Sequence, residues 1–488
     1  MTNVSNLEAR MHPDGFPRDE LPRTIRDAVT ITENLGLRYI WVDALCMIQN
    51  DLEDKHGELG KMGQYYRNSF LCIAASTPSC TTGFVGTMGR CEKHPDSPLP
   101  RDLVPLGVFA HLRDTEKAEG RAGKIYVREE NPYQLKEEPI NKRAWTLQEC
   151  ILAPRVLLFG SRVIWFCQHM THSDGGVEDW SFDQNELERT RRDFQIELSK
   201  LNREGTDMEA QSGNTEDADG SRDIYDLWHR LIGTYSHRAL SWPADKLPAI
   251  SAVAAEFSKL TKDDYVAGLW RSNLPRDLLW TTPEAATHRP KTWRAPTWSW
   301  ASVDDAIFYN HPPPKNATLL ADILEVEAVP LTDMAPFGEV ERGSLVLTAP
   351  SFPVKLGDKN QRENFSEPWL NEFKFQAGRT EREMLLESLK RFHTSNEKTD
   401  EGEKKVFRLP DEMIVACIYG KRDELYRSNE AGMDLEDTAQ RWTMWGLILK
   451  KATEEGGEQL FERVLSFSHI MVACDDTFFA KQETFRVI

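Results

Sequence analysis

The 488-residue chain is too long for one ordinary core, and its 40% hydrophobic content can fill two or three. Its 78 acidic and 60 basic residues leave a formal net charge of −18, with no Lys/Arg run to follow a phosphate backbone, so no nucleic-acid partner is expected. No apolar run reaches the roughly 18 residues that cross a bilayer, and "MTNVSNLEARMHPDGFPRDE" lacks the apolar centre of a signal peptide; a cytoplasmic protein with no membrane span is expected.

"LPRTIRDAVTITENLGL" carries Pro22 at a helix-start position and Ile25, Ala28, Val29, Thr32 and Leu35 at helical spacing, with Gly36 as a stop. "RYIWVDALCMIQ" is dense in β-branched and aromatic residues, which predicts a strand buried on both faces and ending near Asp43. A second helix is predicted over 52–67, with Leu59, Met62 and Tyr66 on one side, and "FLCIAAS" reads as a second buried strand. Helix and strand alternating with short links predict a parallel α/β sheet. Proline and charge break any long pattern between 85 and 140. "KRAWTLQECILAPRVLLFGSRVIWFCQ", residues 142–168, predicts a helix over 142–152 ended by Pro154, then two strands joined by a two-residue turn at Gly160-Ser161.

The first domain is placed at 18–200. Residues 201–222, acidic and almost without large apolar side chains, predict a disordered linker or insertion. A helical segment over 223–290 contains "DIYDLWHRLIGTYSHRAL" and "DKLPAISAVAAEFSKL". A β-rich region over 291–488 begins at "APTWSWASVDDAIFY", where alternation makes Trp298 and Trp300 inter-layer packing on a strand. It ends in an apparent hairpin, "MWGLILKKATEEGGEQLFERVLSF", and is interrupted by a charged insertion at 356–406. No internal repeat recurs at periods of about 20 to 50 residues.

One acid stands out. On the predicted helix Ala144, Leu147 and Ile151 share one side and Trp145, Glu149 and Leu152 the other, so Glu149 lies beside an indole rather than in open water. Burying a carboxylate is costly unless it is paired or used. An ion pair with Arg143, Arg155 or another cation and a functional acid both remain open. Asp43, at the C-terminal end of a predicted strand, is either a ligand-facing acid or a turn cap, and Gln49 could face the same edge. The eight cysteines read as reduced core thiols rather than a disulfide framework. Cys46 has no histidine placed to activate it, and neither Cys91/His94 nor Cys167/His169/His172 has the paired spacing of a zinc site, so no metal is expected. Phosphate-loop, dinucleotide and nucleophile-elbow motifs are absent.

Taken together, "LPRTIRDAVTITENLGLRYIWVDALCMIQND", "KMGQYYRNSFLCIAAS" and "RAWTLQECILAPRVLLFG" resemble, in that order and over about residues 18–168, the heterokaryon-incompatibility (HET) domain of filamentous fungi. Downstream, "YSHRALSWPADKLPAISAV" and "RAPTWSWASVD" look like the extension that many members carry. The resemblance implies non-self recognition in which the domain triggers cell death, with a self-association or incompatibility partner as the non-catalytic alternative. It also implies a parallel, flavodoxin-like α/β fold similar to that of Toll/interleukin-receptor (TIR) domains. Some of these cleave NAD with the glutamate of a Trp-x-x-x-Glu helix, a spacing that Trp145 and Glu149 share. Carried over, Glu149 becomes the catalytic residue. Trp145, Asp43, Gln49, Arg143 and Gln148 become candidate substrate contacts, and NAD a substrate rather than a bound cofactor. HET domains usually begin with a strand resembling "SYxWG" some way before the "LPxTI" helix. No such strand precedes Leu21 in this sequence; whether the sequence is truncated or the element is lost, a sheet edge exposed for pairing with another chain is expected.

Overall fold

The computed structural model describes residues 1–12, 15, 17–77, 79–85, 103–106, 125–128, 138–160, 163–173, 186–203, 224–282, 288–309, 312–355, 412–422, 440–474, 479–480 and 482–488. The acidic stretch at 201–222 and the charged insertion at 356–406 fall almost entirely outside them. The chain divides into two compact units, residues 1–200 and 201–488.

The first unit opens with the helical turn α1 (Leu7–Arg10) and the amphipathic helix α2 (Arg23–Asn34). Gly36, at φ +70°, ends α2: its N–H reaches the Glu33 carbonyl at 2.9 Å, and that of Leu37 reaches Thr32 at 3.0 Å. Only a glycine takes this left-handed position without cost, and the pair of bonds satisfies carbonyls the helix leaves open. The next segment corrects the sequence reading. Residues 37–42 form no ladder, Tyr39 is 84% exposed, and the chain turns instead into the short helix α3 (Asp43–Cys46). Trp41 packs its ring against Tyr65 and Tyr66 of α4 (Leu52–Arg67), at 5.2 and 5.8 Å between centroids. The apolar character that suggested a sheet strand is thus satisfied by a helix. Asp51 caps α4 by accepting from the N–H groups of Glu53 and Asp54.

Strand β1 (Cys72–Ala75) follows, and further on β2 (Leu103–Leu106) pairs antiparallel with β3 (Ile125–Arg128). A 3-10 turn at Pro139–Lys142 leads into helix α5 (Thr146–Leu152), shorter than the predicted 142–152. Strands β4 (Arg155–Phe159), β5 (Val163–Cys167) and β6 (Thr171–Ser173) complete a sheet of order β1-β4-β5-β6. Only β1 and β4 run parallel; the remaining pairs are antiparallel, so the expected parallel sheet is present in one ladder. Phe159 pairs with Val163, so three residues rather than two link β4 to β5. Buried Glu138 lies against Gly160, where its carboxylate would collide with any added Cβ, and it accepts from the Ser76 hydroxyl at 2.7 Å.

Helix α6 (Glu186–Arg203), which the sequence reading leaves unassigned, buries Leu187, Thr190, Arg191, Phe194 and Leu198 on one stripe. Arg191 sits at a core position because the C-terminus of α5 needs it there. Its Nε donates to the Cys150 carbonyl at 3.0 Å and its Nη2 to that of Ala153 at 2.8 Å. Gln195, one turn on, donates to Ile151 at 2.6 Å and Leu152 at 3.2 Å. Two side chains therefore satisfy the terminal carbonyls of a buried helix where no water reaches.

In the second unit α7 (Ile224–Ser236) and α8 (Ser251–Thr261) match the two predicted helices. Strands β7 (Tyr265–Val266) and β8 (Leu269–Trp270) precede the short helix α9 (Leu274–Asp277). Trp298 and Trp300 are fully buried, as packing residues should be, yet not on a strand. Ser299 accepts from the Ala301 N–H and starts a 3-10 turn at Trp300–Ser302. The indole N–H groups of Trp228 and Trp300 both donate to the Gly268 carbonyl, at 3.0 and 2.9 Å. The β-rich part comprises β9 (Thr318–Leu319), β10 (Asp322–Pro330), β11 (Val340–Lys355), β12 (Glu412–Arg422), β13 (Gln440–Glu455), β14 (Glu458–Cys474) and β15 (Gln482–Val487). Because β11 pairs with β15 through Leu345–Pro350 and with β12 through Ser351–Lys355, the ladders β11-β15-β14-β13-β12 close on themselves around Leu347, Ala349, Leu447 and Val487. The predicted hairpin is β13–β14, turned by Gly456-Gly457 at φ +60° and +84°.

Replacing Arg191 by Met keeps an apolar stem but strands the Cys150 and Ala153 carbonyls. The first unit should lose about 2–4 kcal/mol of stability, measured as a lower urea midpoint, while Arg191→Lys should fall between Met and the parent. An unchanged midpoint in the Met variant would show that the carbonyls find other donors.

Candidate functional site

Helix α5 carries Glu149 to the wall of a cavity. Strands β1, β4 and β5 supply an apolar floor through Cys72, Ala74, Val156, Leu158 and Phe166; the polar part of the lining is Asn141, Thr146, Glu149, Glu188 and Arg191. The space enclosed within it is about 50 Å³, and the hollow opens in part to solvent. The two acids differ. Glu188 is buried and accepts a hydrogen bond from the Thr171 hydroxyl, whereas Glu149 is half-buried. The Arg191 guanidinium is directed at the α5 carbonyls described above.

Glu149 also engages α4. Burial first, then the charges of Glu149, Cys72 and Asp43, push the Tyr66 hydroxyl well above the ordinary tyrosine range. Tyr66 is thus a neutral phenol at any physiological pH, near enough to feel the Glu149 charge. Cys72 on the cavity floor is likewise held as a thiol: burial raises its pKa most, the Glu149 and Cys150 charges add to that, and Arg191 opposes it. A carboxylate beside a protonated phenol and a protonated thiol, against an apolar floor, can stabilise a positive charge developing in the cavity.

The other candidate residues are distributed as follows. Trp145 immediately precedes α5 with helical backbone angles and is half-buried, so it stands one turn before Glu149 but outside the cavity lining. Asp43 is exposed at the first position of α3; its carboxylate accepts from the Ala44 N–H at 2.7 Å, and its charge reaches Tyr66. Gln49 donates its amide to the Asp43 carbonyl at 3.1 Å and so braces α3. Arg143 is exposed, and its carbonyl accepts from the Thr146 hydroxyl. Gln148 is 1% exposed, on the core side of α5, and Leu152, grouped with Glu149 by the sequence reading, is buried too. Glu149 and Asp43 are therefore brought to one tyrosine, while Gln49 and Gln148 are not brought to the cavity.

Sequence reasoning missed Tyr66 as a site residue, because its position on the apolar stripe of α4 marks it as packing. It missed Arg191, whose signal is a cation at a core position of an amphipathic helix. Cys46 and Cys80 are exposed rather than core thiols. Cys91 and His94 lie outside the described residues, and among the described residues no group of three or more His, Cys, Asp and Glu is positioned to hold a metal. No helix among them is long and apolar enough to cross a membrane.

With its folded pKa above its unfolded value of about 10, Tyr66 keeps its proton where the unfolded chain has lost it, so its contribution to stability is whole below that pH and falls as pH rises further. Tyr66→Phe should leave the phenolate absorbance titration unchanged up to that pH and remove one late-titrating group above it. Loss of an early-titrating group instead would contradict the Glu149 contact. Alkylation at mildly alkaline pH, followed by mass spectrometry, should modify Cys46 and Cys80 well before Cys72.

Residues 3–149 match the family described as Heterokaryon incompatibility protein (HET), a match that ends on Glu149 itself. No curated protein and no solved structure matches the chain. Residues 3–149, which hold α2, α4, β1 and the start of α5, thus form a HET domain, of the family named for heterokaryon incompatibility.

Proposed function

We propose that this protein is a cell-death effector of fungal non-self recognition that acts by hydrolysing NAD, with Glu149 as its catalytic carboxylate. The observation that carries the reading is the position of Glu149: half-buried in a cavity wall, within electrostatic reach of a neutral Tyr66, and on the same side of its helix as Trp145. Cleavage of the bond between nicotinamide and ribose leaves a sugar cation; the electron pair of that bond returns to the pyridinium nitrogen, so nicotinamide departs neutral and needs no acid. Water then adds to the sugar carbon and releases a proton, giving ADP-ribose. One carboxylate close to the cation is sufficient for the first step. In this reading Trp145 packs against ribose or nicotinamide, Asp43 and Arg143 flank the entrance, and Gln49 and Gln148 serve the scaffold. The similarity to TIR-type NAD hydrolases is part of the proposal.

A second reading, a non-catalytic module that self-associates or docks on an incompatibility partner, is favoured by one feature. Among the described residues β1 is the edge of its sheet, paired with β4 alone, and Tyr39 is 84% exposed.

The purified chain incubated with NAD should release nicotinamide, and Glu149→Gln should reduce that rate by at least about 100-fold while leaving the melting temperature near that of the parent. Equal turnover by parent and variant removes Glu149 from catalysis. No turnover by either, with cell killing retained in both, would favour the self-associating module.

A further inference from the structure

The second unit buries a guanidinium without a counter-charge. Arg463 on β14 is 1% exposed, and its guanidinium lies 3.4 Å from the centroid of the Trp280 ring. Its Nη2 donates to the Trp280 carbonyl at 2.5 Å, while buried Nε and Nη1 have no acceptor. Among the described residues no carboxylate pairs with it. The acids of its surroundings are engaged elsewhere. Asp277, fully buried, accepts from His229 Nε2 at 2.6 Å, the Trp270 N–H at 2.8 Å and Asn273 Nδ2 at 2.7 Å. Glu462 bridges Lys450 at 2.7 Å. A second cation aggravates the imbalance: Arg289 donates to the Arg463 carbonyl at 2.7 Å, and its charge acts on Arg463. Tyr309, stacked on His229 at 3.7 Å between centroids, has a buried hydroxyl with no partner and interacts electrostatically with the same guanidinium.

Orphaned donors on a buried charge are among the most costly features a fold can carry. Water could occupy the donors, but it would not neutralise the Arg463 guanidinium. A group that does both is a compact anion with several acceptor oxygens, for which arginine is the preferred partner. We propose that Arg463, with the Tyr309 hydroxyl and Arg289 beside it, forms a buried site for a small oxyanion, a carboxylate or phosphate group, inside the C-terminal unit. The site is separate from the cavity at Glu149 and does not depend on the NAD reading.

The test is thermal denaturation of the full chain across concentrations of inorganic phosphate, acetate and chloride at constant ionic strength. The melting temperature should rise in a saturable manner with phosphate or with acetate and not with chloride, and the responding arm names the class. Tyr309→Phe, which keeps the ring stacked on His229, should weaken that response about tenfold, and Arg463→Met should abolish it. Failure of Arg463→Met to fold leaves Tyr309→Phe to decide. A parent that responds to neither oxyanion beyond chloride, or a Tyr309→Phe variant with the parent's dose response, overturns the proposal.

Discussion

The site rests on the way α6 finishes α5. Seven residues are too few for a helix that is stable by itself, and α5 ends inside the protein, where its last carbonyls cannot turn to water. Arg191 and Gln195 supply the missing donors from a neighbouring helix, one turn apart, so that four consecutive carbonyls from Cys150 to Ala153 are met. The same contacts fix the rotation of α5. With Leu147, Gln148, Ile151 and Leu152 committed to the interior, Glu149 and Cys150 face the cavity. A carboxylate that cannot be turned away is thereby presented to a space lined mostly by carbon.

The other wall is set by aromatic packing. Trp41 on the rings of Tyr65 and Tyr66 replaces the sheet pairing expected of its segment, and Tyr66 lies within reach of the Glu149 charge. Tyr66 holds its proton because its surroundings are apolar and acidic together, and Cys72 does so for the same two reasons. Every ionisable neighbour whose pKa Glu149 raises is thus held neutral by burial and negative charge. Glu188 and the Arg191 guanidinium also line the cavity, so two acids and one cation stand around its apolar floor.

Much of this was legible in the sequence, and the failures have physical causes. The helices at 23–34 and 52–67, the β1 strand and the glycine turn of β13–β14 follow from periodicity, caps and positive-φ glycines, all of them local signals. Residues 38–42 misled because an apolar, aromatic segment packed on a helix has the same composition as one packed in a sheet. "TWSWAS" misled because alternation of buried tryptophans arises equally from a serine-capped 3-10 turn. Glu149 could be singled out, since an acid amid apolar residues is anomalous within its own helix. The surrounding residues could not: Tyr66 is 83 positions and Arg191 is 42 positions away in the chain, and only the fold gathers them. Arg463 lies in the same class, an ordinary strand residue in sequence whose lack of a counter-charge appears only when the strands close.

The central claim is that the Glu149 cavity receives the nicotinamide ribose of NAD. A crystal structure of the full chain with a non-hydrolysable NAD analogue tests it most directly. The account predicts the analogue in the hollow between β1, α5 and α6, with its anomeric carbon against the Glu149 carboxylate. An analogue bound elsewhere, or an arginine side chain folded over Glu149 with the hollow closed, would contradict it.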